Sequence, residues 1–267
     1  MLTFSSQQLY TWVAMFIWPT TRILGLLSIA PPFGSASVPM LVKVLLGIAI
    51  GAVLAPDVPV PPAIDPMSMT GLLILLQQLL IGLSMGLAMR VVFAAVEAAG
   101  ELTSSTMGLS FAAFFDPQSQ GRTAVISQVL SLLATMVFLS LNGHLLLLQV
   151  MAESFHTLPI TGQPITTEGF HQLVLWGAKV FSMGVQLSLP LLIALLITNF
   201  ALGILTRAAP QLNLFGIGFS ITMLAGFILI AFALPYMLTP LQRLLSDGIE
   251  MVRLLGSVPP VNALPKP

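Results

Sequence analysis

The sequence predicts an all-α, membrane-associated protein of about six long hydrophobic helices arranged as hairpins. Composition gives the first reason: 57% of the residues are hydrophobic and 7% charged, with a mean hydropathy of +1.01, whereas soluble domains carry about a quarter charged residues. Length gives the second, because about six runs approach or exceed the roughly 20 apolar residues that helix needs to cross a ~30 Å hydrocarbon core. Punctuation gives the third: prolines, which cannot continue a helix, bound several of the runs.

The runs lie near 9–30, 38–55, 71–99, 125–150, 173–205 and 212–238. The first opens with Trp12 and Trp18, a residue type that favours membrane interfaces, carries Arg22 well inside it, and stops at Pro31-Pro32. The first basic residue is Arg22, so the run lacks the charged leader of a signal peptide and is expected to be retained. The second run lies between Pro39 and Pro56 and holds Gly47 and Gly51 four residues apart, a spacing that lets another helix approach its backbone. The proline-rich stretch PDVPVPPAIDP then predicts an extended, exposed connection.

The third run repeats the close-approach spacing in Gly82 and Gly86 and then acquires charge. Arg90, Glu97 and Glu101 follow at spacings of seven and four, which places them near one face of a helix. With Arg22 they form the candidate buried charges, since ionisable groups in an apolar span rarely face lipid. Internal pairing of Arg90 with Glu97 is the alternative, and Lys179 is expected to snorkel to an interface. A short aromatic element follows, with Met107, Phe111, Phe114 and Phe115 at helical spacings before Asp116-Pro117 breaks it. It reads either as a lid packed on the bundle or as a hydrophobic constriction that excludes water and ions.

The fourth run ends in LNGHLLLLQVMAESFHTLPI, and a polar loop from Thr161 to Glu168 leads to the last pair. Those two runs form a hairpin around TRAAPQLN, with Arg207, Pro210 and Gln211 in the turn. Pro190 interrupts the fifth run and frees a backbone carbonyl, which predicts burial against protein. After Tyr236 the chain becomes amphipathic, with Arg243, Asp247, Glu250 and Arg253 on a Leu-rich ground, and is expected to lie along a surface before a disordered proline-rich end. Basic residues divide evenly between the two sides, so charge does not decide orientation. No internal repeat is visible, and the inverted-repeat sign of a secondary transporter is missing.

Several classes of function are disfavoured. Net charge is zero, which provides no basic field for nucleic acid. There is no cysteine, hence no disulfide and no thiolate metal site. His144, His156 and His171 do not have metal-pair spacing, and no Walker, HExxH or GxSxG pattern is present, so neither cofactor nor metal nor catalytic residues are expected.

Four blocks together resemble the FliR family of flagellar biosynthesis proteins and its injectisome counterparts: AAGE at 98–101, MGLSFAAFFDPQS at 107–119, LNGHLLLL at 141–148 with FHTLPI at 155–160, and LPLLIALLITNFALGILTRAAPQLNLFGIGF at 189–219. The family usually has a basic residue at the place of Glu97 and a proline at that of Ser220. The resemblance implies a non-enzymatic subunit of a type III secretion export gate. Such a subunit assembles with FliP and FliQ into a helical channel for unfolded flagellar proteins, in the bacterial inner membrane at the flagellar basal body. It also implies a FliP-like part over 1–170 and a FliQ-like hairpin and tail over 171–267, with many of the helices packed on other subunits above the plane of the membrane instead of spanning it. The channel plug falls on Met107, Phe111, Phe114 and Phe115, and the turn with Arg207, Pro210 and Gln211 faces FlhB, with FlhA a further candidate partner. The competing readings are a stand-alone solute or ion-coupled transporter, with paired charges at a midplane site, and an intramembrane enzyme, for which no catalytic pair is found.

Overall fold

The computed structural model describes residues 6–109, 125–161, 167–208 and 218–257. Among them there are seven α-helices and no strand: α1 (Ser6–Ile29), α2 (Met40–Leu54), α3 (Met69–Thr106), α4 (Val125–Ser140), α5 (Gly143–Thr157), α6 (Thr167–Ala208) and α7 (Phe219–Ser257). Four are long and apolar enough to cross a membrane, and α4 with α5 makes a fifth span if the bent pair is counted as one.

Boundaries follow local chemistry. Pro39 precedes α2 in an extended conformation (φ −56°, ψ 141°), so its missing N–H falls where a helix has no partner for one. The proline-rich connection contains no helix, and it is pinned by buried Val58, Pro61 and Pro66. Asp65 and Ser68 then start α3. The Asp65 carboxylate accepts the Met67 N–H (2.9 Å), and the Ser68 hydroxyl accepts the Gly71 N–H (3.1 Å), satisfying an orphan donor of the first turn. At the far end Gly108 takes φ 84°, a left-handed conformation in which a Cβ would be strained, and the helix stops.

Three departures from the expected runs have physical causes. The fourth run is two helices, bent by 65° where Asn142 takes φ 55°, a conformation that asparagine tolerates better than most residues. Second, α6 runs through Pro190, which is exposed on the chain's own surface, so the protein burial expected of it is not supplied by this chain. Third, α7 passes through Pro235 and Pro240, and the amphipathic tail is its continuation. Arg243, Asp247, Glu250 and Arg253 are exposed on it while Leu245, Val252 and Leu255 are buried. Trp18, expected at an interface, is fully buried, whereas Trp12 is exposed.

Length matters here. With 38, 42 and 39 residues, α3, α6 and α7 extend about 57–63 Å, roughly twice the hydrocarbon thickness. Each therefore carries structure beyond the bilayer core.

The chain forms two compact units that interleave along the sequence. One comprises residues 1–91, 141–177 and 245–267, the other 92–140 and 178–244. The first packs around fully buried Trp18, Arg22, Leu26, Met89 and Met151. Trp176 belongs to it and donates its indole N–H to the Ala88 carbonyl at 2.9 Å. In the second, Phe93 meets Phe138 edge-to-face at 6.0 Å. The Ser127 hydroxyl there donates to the Glu97 carbonyl at 2.9 Å, across a crossing where Gly100 lies against the Ser127 backbone. The division at residue 170 expected above is one of likeness to other subunits, which is a different matter from these compact units.

Candidate functional site

Arg22 organises the first unit. It lies one helical turn beyond Trp18 on the buried face of α1, with no exposed surface. Its Nε donates to Gln78 Oε1 of α3 (2.8 Å), Nη1 donates to Ser154 O and Oγ (2.9 and 3.0 Å), and Nη2 donates to Leu158 O (3.0 Å). The guanidinium also lies 4.4 Å from the centroid of the Phe155 ring, over the negative face of the aromatic. Leu158 is the C-cap of α5, its N–H donating to the Ser154 carbonyl in the last turn at 2.9 Å, so Arg22 occupies the end of the helix where partial negative charge collects. Among the described residues every group that Arg22 bonds is neutral. The cation is thus held by acceptors, a helix dipole and a π face. Hydrogen bonds to a charged group are worth about 1.5–3 kcal/mol each when their loss would strand a buried partner. Gln78 is fixed in orientation by this contact, which leaves its buried Nε2 with no partner among the described residues.

The four predicted close-approach glycines lie against α1. A Cβ on Gly82 would collide with the Arg22 carbonyl, and one on Gly86 would sit 2.8 Å from the Leu26 carbonyl oxygen. On α2, Gly47 faces the Leu24 side chain and Gly51 would place a Cβ 2.5 Å from Thr20 Oγ1. The approaching helix is in every case α1 of the same chain, so these glycines build the subunit and do not wait for a partner. Gly25 of α1, which sequence spacing missed, completes the crossing with a Cβ position 2.9 Å from the Leu79 carbonyl oxygen.

In the second unit the end of α3 is held from two sides. Asn199 of α6 donates to the Thr106 carbonyl and Thr222 of α7 donates to the Met107 carbonyl, both at 3.3 Å. Met107 is fully buried, its side chain filling the space over Gly226 where a Cβ would come within 2.5–2.7 Å of three of its atoms. Met107, expected as part of a plug, therefore has no surface of its own to offer a lumen. Phe111, Phe114 and Phe115 lie outside the described residues, as do Pro210 and Gln211 of the hairpin turn. Arg207 ends α6 and is exposed.

Of the four candidate buried charges, Arg22 alone is buried within the chain. Arg90 and Glu101 are exposed and Glu97 is half-buried. Lys179 is exposed. Among the described residues no three His, Asp or Glu side chains converge as a metal site, and His156 lies 3.4 Å from Asp57. Sequence reasoning missed Gln78, Ser154, Phe155 and Leu158 as partners of Arg22. The only signal was indirect, in that three of the four fall in the ESFHTLPI stretch.

The model of the family Bacterial export proteins, family 1, matches residues 13–248. The chain is 40% identical over 252 residues to the flagellar biosynthetic protein FliR of Pectobacterium carotovorum subsp. carotovorum, covering 94% of this chain and 96% of that protein. It is 39% identical to FliR of Escherichia coli (strain K12) over the same shares of the two chains. The likeness extends to FliR of Bacillus subtilis (strain 168), at 28% identity over 89% of this chain and 93% of the relative.

Proposed function

Since the chain belongs to the bacterial export proteins, family 1, and is a membrane component of flagellar export, we propose that it is a non-enzymatic subunit of the flagellar type III export gate. In this reading it forms, with FliP and FliQ in the bacterial inner membrane, a channel for unfolded flagellar proteins. The observation that carries the reading is the uncovered apolar surface of α6 and α7. Only 33% of the most apolar window of α6 and 17% of that of α7 is buried by the chain, against 61% for α3. Phe181, Phe200, Phe232 and Tyr236 are each more than 70% exposed. Both helices are about twice the length that a bilayer can cover, so lipid alone does not account for them and long partner helices of matching apolarity do. The unfilled burial of Pro190 fits the same arrangement.

Phe111, Phe114 and Phe115 then form a hydrophobic seal, anchored through Met107, and the turn with Arg207, Pro210 and Gln211 faces FlhB. The test is affinity purification of the tagged chain from membranes that co-express FliP and FliQ. Co-elution in a fixed ratio, with export lost when the chain is deleted, is the expected result. A chain that elutes alone and supports solute flux in liposomes would replace the gate reading with the transporter.

A further inference from the structure

We propose that Arg22 is a positioning residue that builds an anchoring seat for the C-terminal end of α7, a role separate from any channel surface. The turn of α5 that Arg22 fixes has two sides. On one, Ser154 and Leu158 present their carbonyls to the guanidinium at 2.9 and 3.0 Å. On the other, the same turn receives α7: Gly256 sits where a Cβ would come 3.0 Å from Ser154 Cβ and 3.5 Å from Met85 Cε, the Thr157 hydroxyl donates to the Gly256 carbonyl at 2.5 Å, and Glu153 faces Arg253 at 3.6 Å. Ser154 is common to both sides, its backbone and hydroxyl oxygens bound to Arg22 and its Cβ under Gly256.

The chemistry explains why an arginine does this. The Ser154 carbonyl accepts the capping Leu158 N–H at 2.9 Å and has a second lone pair to spare, while the Leu158 carbonyl lies past the helix end, so both oxygens can take a donor from outside the helix. A planar fork can reach the Ser154 and Leu158 carbonyls together while its third edge is held by Gln78 on α3. A lysine supplies charge from one point and cannot span the three positions. The salt bridge of Glu153 with Arg253 is half-exposed and adds little. The seat consequently depends on the shape of the α5 turn, and Arg22 sets that shape.

The absence of cysteine makes the seat directly measurable. Glu153→Cys with Arg253→Cys, in the full chain in its native membrane, gives a thiol pair that a short bifunctional maleimide bridges when α7 is seated. Arg22→Gln and Arg22→Lys are each expected to lower the cross-linking rate by roughly tenfold, the factor corresponding to one charge-assisted hydrogen bond, at equal abundance in the membrane fraction. Full rescue by lysine would overturn the fork argument and leave a plain charge effect. Wild-type cross-linking in both variants would overturn the proposal. Gly256→Leu, which leaves Arg22 and its acceptors in place, covers the case in which Arg22 variants fail to accumulate. It should lower cross-linking comparably by filling the contact with Ser154, and an unchanged rate there refutes the seat whatever the Arg22 variants do.

Discussion

Replacing one glycine by alanine should have opposite effects at Gly82 and at Gly203, although both lie inside long apolar helices. At Gly86, beside Gly82, the added carbon would lie 2.8 Å from a backbone oxygen of α1, so reaching the 3.4 Å of an ordinary contact requires the helices to part by about 0.6 Å. Gly82 requires more, because its added carbon would fall closer still to a backbone oxygen, the carbonyl of Arg22. Overpacking of this kind costs about 1–3 kcal/mol, partly offset by the ~1 kcal/mol by which alanine is the better helix former. Gly203 has nothing within 4 Å and receives only the gain. The two variants should therefore differ by about 1–3 kcal/mol, or roughly 2–12 °C for a chain of this size. Thermal unfolding of the isolated chain in detergent measures this directly. Equal shifts for Gly82→Ala and Gly203→Ala would refute the close crossing of α1 with α3. A displaced α1 also carries Arg22 with it, so Gly82→Ala should impair cross-linking at the α7 seat, and Gly203→Ala should not.

At the end of α3, Gly226→Leu should destabilise the chain by driving into Met107, and Met107→Ala should relieve it, with a coupling of about 1 kcal/mol or more in a double-mutant cycle; strict additivity would dismiss the contact. Gln78→Leu removes the acceptor of Arg22 Nε and should cost about 1.5–3 kcal/mol in the same unfolding assay, whereas a neutral result would mean that the α3 arm of the node carries no weight. Phe111, Phe114 and Phe115 changed together to Ala should make the resting export complex leaky to small ions at normal abundance. Cells with wild-type membrane potential and a normally abundant complex would argue against the seal.

The helices were legible in the sequence because apolar runs and proline punctuation are local signals, and Pro39 marks the start of α2 as expected. The break at Asn142 was not legible. Leucine-rich sequence continues on both sides of it, and the bend lives in one positive φ. Pro190 misled in the opposite direction, since a lone proline costs a helix one hydrogen bond and a long helix absorbs that. The glycine spacing at 47 and 51 and at 82 and 86 announced close approach correctly but could not say which helix approaches. Arg22 drew notice as a charge in an apolar run, yet its partners were hidden because they are uncharged and lie 56 to 136 residues away. A search for compensating carboxylates looks for the wrong chemistry when a helix end supplies the compensation.

That separation has a consequence for how the polypeptide is made. Ribosomes add about 5–20 residues per second, and the Ser154 acceptors are encoded 132 residues after Arg22, so roughly 7–26 s pass between the synthesis of the cation and that of its cradle. Through that interval α1 is an apolar helix whose guanidinium lacks its α5 acceptors and has only Gln78 to come before them, and a charge left unpaired inside hydrocarbon costs about 3 kcal/mol or more. A newborn α1 held at the lipid–water boundary until α5 emerges would avoid that cost. The final position of the first helix is set by residues encoded past the midpoint of the message.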